Sequence, residues 1–168
     1  MKATLSVLVE NRSGVLSRTA GLFARRGFNI ESLAVGETDD PTVSRMTIVV
    51  EGDERIIQQV GKQLNKQIDV IKVKQLDAEQ STRRELALIK VNASPKTRGQ
   101  LVDIASIMKS KVVDLSPTTL TIEMADRPER VRLLLDMLEP YGVAEMVRTG
   151  MVALQKGSAS IGTAEQRD

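Results

Sequence analysis

The apolar residues of this chain switch period at Gly14, from two to about 3.6, which forces a strand to run straight into a helix. Over residues 4–10, Leu5, Val7 and Val9 alternate with Thr4, Ser6 and Glu10, and Leu8 is the exception. Beyond Gly14, the residues Val15, Leu16, Thr19, Ala20, Leu22 and Phe23 fall on one helical face. The junction itself reads Asn11-Arg12-Ser13-Gly14. A junction of this kind leaves the first backbone N–H groups of the helix unpaired, and glycine lets a ligand approach the main chain. The helix dipole adds a positive end. A carboxylate therefore suits the junction, and the branched residues beside it suit an acid with an apolar side chain.

The rest of the chain repeats this grammar. Arg25-Arg26-Gly27 places cations in the last helical turn ahead of a left-handed cap. Residues 29–37 read as a second strand, Thr38-Asp39-Asp40-Pro41 as a turn, and Met46, Ile48 and Val50 as alternating positions of a third strand. Gly52-Asp53 opens a helix with Ile56, Ile57, Val60 and Leu64 on one face, and residues 70–76 close the unit as a strand. The order is βαββαβ. After a polar linker at 77–83 the order returns. A strand at 85–92 leads to Ser94 as N-cap, with Pro95 at the first helical position. Strands at 111–115 and 120–124 flank a turn at Pro117. A helix opens at Asp126-Arg127-Pro128-Glu129, and a last strand covers 143–154. Residues 157–168 show no apolar period and are expected to be disordered.

The expected fold is α+β, with two ferredoxin-like βαββαβ units at 1–76 and 84–156. Each has an antiparallel sheet with its helices on one face. The other face of each sheet is then bare. Leu8 and Val49 put apolar side chains on both faces of the first sheet, so a covering partner is implied. A second copy, joined by edges or by faces, is the economical one.

Composition narrows the chemistry. Hydrophobic residues make up 41% and aromatic residues 2%, so the core is aliphatic. With no Cys and no His, the chain lacks a thiolate nucleophile, the commonest general base and the commonest metal ligands. The 24 basic and 22 acidic residues nearly balance and form no nucleic-acid-type block. A ferredoxin-like sheet that binds RNA needs aromatic residues on its central strands. Here Phe23, Phe28 and Tyr141 fall on a helix, at a helix end and in a turn. No apolar run is long enough for a membrane span, and a cytoplasmic protein is expected.

The run Asn11-Arg12-Ser13-Gly14-Val15-Leu16, followed by Arg26-Gly27-Phe28-Asn29-Ile30-Glu31-Ser32-Leu33, resembles the ACT domain, a family of amino-acid sensors. With Asp39-Asp40-Pro41-Thr42 and Ser44-Arg45-Met46-Thr47 added, the set is similar to the regulatory small subunits of acetohydroxyacid synthase (acetolactate synthase), over residues 1–156. That resemblance implies a noncatalytic chain that binds no cofactor or metal itself. Its partner would be a large subunit carrying thiamine diphosphate, Mg and FAD, which forms acetolactate from pyruvate. The small subunit would raise that activity and confer feedback inhibition by a branched-chain amino acid, usually valine. Paired ACT domains of two copies would hold this effector. Asn11, Ser13, Gly14, Val15 and Leu16 would come from one chain and Asn29 and Ile30 from the other, with Leu16, Ile30 and Val35 around the isopropyl group.

Plainer readings stand beside these. Asn11 and Gly14 also suit an ordinary turn, and Asn29 a strand entry. Asp39-Asp40 reads as a turn and not as a metal site. Arg45 interrupts an apolar strand, facing either a partner or solvent. In the second repeat, Asn92-Ala93-Ser94-Pro95 has no glycine matching Gly14, and Pro95 removes one donor. No effector site is expected there, and the repeat is assigned to structure and to contact with the large subunit. The alternative function is a double-ACT sensor of a different amino acid, controlling a different enzyme.

Overall fold

In the structure, a computed structural model that describes residues 1–162, the first alternating segment is strand β1, Lys2–Glu10, and helix α1 is Val15–Arg26. α1 ends where Gly27 takes φ 65°, so that the N–H groups of Gly27 and Phe28 close onto the carbonyls of Ala24 and Phe23. Strands β2, Asn29–Glu37, and β3, Val43–Glu51, form a hairpin. Helix α2, Glu54–Asn65, starts at Asp53, whose carboxylate accepts from the Ile56 N–H at 2.8 Å. Strand β4, Val70–Leu76, completes a sheet in the order β2-β3-β1-β4, antiparallel throughout. Alternate residues of β1 and β3 (Leu5, Val7 and Val9; Met46, Ile48 and Val50) meet Val15, Leu22 and Phe23 of α1 and Ile57, Val60 and Leu64 of α2 in one buried core. The ring of Phe23 sits edge-on to Phe28, with centroids 6.2 Å apart.

The second sheet repeats the plan. Strand β5, Ser81–Asn92, is followed by α3, Arg98–Ile107, β6, Lys111–Leu115, β7, Thr119–Asp126, α4, Pro128–Leu138, and β8, Val143–Arg148. Their order is β6-β7-β5-β8. Ala87, Ile89, Val91, Leu120, Ile122 and Met124 pack beneath Leu101, Ala105, Val131, Leu134 and Leu138. Tyr141, in a 3-10 turn after α4, packs against this core and donates its hydroxyl to Gln100 Oε1 at 2.9 Å. The two α+β units of the expected kind are therefore present.

Several boundaries differ from expectation. α3 begins at Arg98, not Pro95. Ser94 still caps, one turn early: its Oγ accepts from the Thr97 N–H at 3.3 Å, while Thr97 Oγ1 accepts from the Ser94 N–H at 2.9 Å. The last strand breaks in two at Gly150, φ 78°, which leaves β9, Val152–Gln155, paired with β5. Within the expected linker, Asp77 Oδ1 accepts from the Glu79 and Gln80 N–H groups, and β5 already begins at Ser81.

The chain divides into Met1–Thr82 with residues 151–162, and Arg83–Gly150. The first unit thus takes back the chain's last described residues. Ile161, 5% exposed, packs on Leu8 and Val43, and Arg45 Nη2 donates to the Ala153 carbonyl at 3.1 Å. This face of the first sheet was expected to be bare and awaiting a second copy. The chain's own segment covers the part of it around Leu8 and Val43, because these offer apolar surface that a nearby isoleucine can bury. Of the tail expected to be disordered, Ile161 is packed against the sheet while residues 157–160 are exposed; its remainder, 163–168, lies outside the described residues. No described helix is long and apolar enough to cross a membrane.

Candidate functional site

β1 delivers the chain to the top of the first sheet, and Gly14 turns it into α1 with φ 83°, a left-handed conformation that favours glycine. Among the described residues, the N–H groups of Ser13, Gly14 and Leu16 have no acceptor, whereas the Val15 N–H reaches the Arg12 carbonyl at 3.4 Å. Val15 points its side chain into the core, 3% exposed, so it offers a ligand neither its side chain nor a free donor. Leu16 is 47% exposed.

Asn11 is held in place. Its Nδ2 donates to Glu37 Oε1 at 3.1 Å and to the Pro41 carbonyl at 2.9 Å, which leaves its Oδ1 without a donor among the described residues. Asn29, Ile30 and Val35 lie on β2, an edge strand. Asn29 is exposed and stands opposite Glu51, while Ile30 is half-buried against the core. Val35 stands opposite the buried Met46 and is itself 45% exposed.

The structure does not bring these residues into one place within a chain. Asn29 lies in the register row of Lys2 and Glu51, while the Asn11–Gly14 loop follows the row of Glu10 and Val43. Those rows are eight steps apart, roughly 26 Å at ~3.3 Å per residue.

Three residues that the sequence reading left out dominate the electrostatics of the junction. Arg18 Nε donates to Asp69 Oδ2 at 2.7 Å, and Arg12 Nη2 reaches Asp69 Oδ1 at 3.5 Å. Asp69 is buried, 6% exposed. Gln67, in the same loop, donates to the Arg18 carbonyl and accepts from Thr19 Oγ1. The Arg18 guanidinium is thereby folded back over Gly14, where an added Cβ would lie 2.8 Å from Nη1. Two guanidiniums and the positive end of a helix share one carboxylate, an arrangement the dipole disfavours and a further anion would relieve. Arg12 and Arg18 are legible as misplaced cations at a helix start; Asp69, 51 residues from Arg18, is not.

At the matching junction of the second repeat no glycine stands in the place of Gly14; the N–H groups of Asn92, Ala93, Thr97 and Arg98 are spent on Gly142, Thr118 and Ser94, while those of Lys96, Gly99 and Gln100 have no acceptor among the described residues. Asp40 accepts from the side chain and backbone of Thr42, which hold its carboxyl below the ordinary value, so it serves as a turn residue. A cleft of ≈ 590 Å³ opens elsewhere on the first unit, between the β2–β3 hairpin and the last described residues. Its wall includes Arg45, whose pKa is lowered by burial.

Comparison with known proteins places these features in a family. Residues 5–72 match the AHAS small subunit-like ACT domain, and residues 84–157 match the small subunit of acetolactate synthase. The chain is 50% identical over 162 residues to the acetolactate synthase small subunit of Mycolicibacterium smegmatis, spanning 96% of this chain and 95% of that one. It is 50% identical over 158 residues to a probable acetolactate synthase small subunit of Archaeoglobus fulgidus, 94% of this chain and 99% of that one. The crystal structure of the acetolactate synthase small subunit from Thermotoga maritima superposes with a TM-score of 0.88 at 37% identity, covering 95% of this chain and 99% of that one.

Proposed function

The chain belongs to the family of acetolactate synthase small subunits, noncatalytic regulatory chains, and we propose that it activates the catalytic large subunit and makes it subject to feedback inhibition by valine or another branched-chain amino acid. Thiamine diphosphate, Mg and FAD belong, in this reading, to the large subunit. The observation that carries the reading is the set of unspent donors at Ser13, Gly14 and Leu16 beneath the Arg18 guanidinium. The effector carboxylate is received there, and its ammonium is received by Asn11 Oδ1. Leu16 supplies apolar contact. Asn29 and Ile30 reach the same ligand from the ACT domain of a second copy, since their own chain holds them at the far end of the sheet.

Inhibition then follows from linkage: the effector binds one state of the assembly more tightly, with couplings of ~1–3 kcal/mol typical. A pocket built of Leu16, Ile30 and Val35 separates valine from leucine and isoleucine only by degree, as one methylene is worth ~1–3 kcal/mol.

The test is a thermal-shift panel of valine, leucine, isoleucine, glycine, serine and the aromatic amino acids, followed by reconstitution with the large subunit. A ligand at 100 times its Kd stabilises by ~2.7 kcal/mol, which is several degrees for a chain of this length. A shift with the branched amino acids, and valine-sensitive acetolactate formation on reconstitution, is the expected result. A large subunit whose activity neither rises with this chain nor falls with any of these amino acids would overturn the reading.

A further inference from the structure

The cleft between the β2–β3 hairpin and the last described residues lies within the first unit, and the effector site makes no use of it. Its floor is built by Leu8, Val43 and Arg45, which leave the sheet on the face away from the helices. The returning segment adds Leu154, Gln155 and Ile161. Among these described lining residues Arg45 is the one cation.

Arg45 is half-buried and short of partners. Its Nη2 donates to the Ala153 carbonyl at 3.1 Å, while Nε and Nη1 have no acceptor and no carboxylate reaches it among the described residues. Two of the cleft's own carboxylates are engaged elsewhere, Glu37 accepting from Asn11 and Asp40 from Thr42. A cation drawn out of water without a counter-charge is costly, and burial lowers the Arg45 pKa accordingly. Gln155 has the complementary shortage. Its Oε1 is shielded from solvent and accepts no hydrogen bond among the described residues.

We propose that this cleft binds a small aliphatic 2-hydroxy monocarboxylate. The carboxylate takes up the spare N–H groups of Arg45, whose planar fork suits it. The hydroxyl donates to Gln155 Oε1, and the aliphatic body rests on Leu8, Val43 and Ile161, which already pack together. Glu37, Asp39 and Asp40 at the hairpin repel a second anionic group, which restricts the ligand to one carboxylate. A hydroxyl suits the site better than an ammonium. It has one proton to place, whereas an ammonium beside the guanidinium would bring three donors and a like charge to one neutral oxygen. Acetolactate, for which the family is named, is an acid of this class; that link rests on the proposed function, whereas the cleft itself does not.

Isothermal titration of the full chain with 2-hydroxyisovalerate, isovalerate and valine tests this. Wild type is expected to bind the hydroxy acid at millimolar concentration and more tightly than isovalerate, which lacks the donor. Arg45→Met should weaken the hydroxy acid about 10-fold or more, as the loss of a charge-assisted bond implies. Gln155→Leu replaces a side chain with no hydrogen bond to lose, so it keeps the test valid if Arg45→Met fails to fold. It should abolish the preference for the hydroxy acid over isovalerate. Arg18→Met, at the effector junction, should leave hydroxy-acid binding unchanged. No binding by wild type, equal affinity in Arg45→Met, or an unaltered preference in Gln155→Leu would overturn the proposal. So would loss of the hydroxy acid in Arg18→Met, which would place it at the junction. Valine binding that is lost in Arg45→Met but kept in Arg18→Met would overturn the hydroxy-acid assignment in favour of an amino acid.

Discussion

Arg18 carries a charge that the dipole of its own helix disfavours, and it is held there by a single bond to the buried Asp69. In the proposed site, fixing the guanidinium in advance would remove part of the ordering cost of receiving a carboxylate. Arg18→Met is expected to weaken valine binding by about 10- to 100-fold, since a hydrogen bond to a charged group contributes ~1.5–3 kcal/mol. Valinamide, which lacks the carboxylate, should lose little. Isothermal titration of both ligands checks this, and Arg18→Lys should recover part of the loss. Equal valine affinity in Arg18→Met and wild type would remove Arg18 from the site without touching Gly14. Asn11, Ser13 and Gly14 stand out in the sequence as candidates because they fall within one four-residue run where the apolar period changes. Asp69 does not, because it meets Arg18 only after β4 has paired beside β1, a contact with no local signature. Val15 was misjudged in part: its place on the helical face was read correctly, but that face is the buried one.

Helix ends set the next scale. Gly14 and Gly27 flank α1, both with positive φ. Alanine at either should cost about 1–2 kcal/mol in urea unfolding, from the left-handed conformation alone. Only Gly14→Ala also meets the Arg18 guanidinium, whereas nothing lies within 4 Å of a Cβ at Gly27. Valine binding should therefore fall in the first variant and persist in the second. At the start of α4, burial pushes the Asp126 carboxyl up, but the Arg127 N–H and the Arg130 guanidinium outweigh it and hold the pKa below its ordinary value. A group depressed in this way adds stability above its unfolded pKa, and that stability is lost as pH falls through the folded value. Wild type should lose more unfolding free energy than Asp126→Asn on acidification below about pH 4. Alternation and helical period revealed the strands and helices themselves. The start of α3 was missed because Ser94 and Thr97 spend their reciprocal bonds on a turn before it, and the break between β8 and β9 because Gly150 was read as part of a strand.

Across the whole molecule, the first unit is assembled from both ends of the described chain. Ile161→Ala should destabilise it by about 2 kcal/mol, the scale of losing most of one buried aliphatic side chain, as measured by thermal unfolding. No sequence period announces Ile161; of its partners, Leu8 announced only that something must cover that face, and Val43 gave no signal. Composition supplies a last consequence. The chain contains one tyrosine and no tryptophan, and Tyr141 packs in the second unit with its hydroxyl on Gln100. Its ultraviolet emission therefore reports one half of the molecule in isolation, with no label attached. The half that holds Gly14 and Arg18 is optically silent at that wavelength. A melting transition raised by valine in circular dichroism, while the tyrosine trace stays where it was, would locate the ligand without any substitution at all.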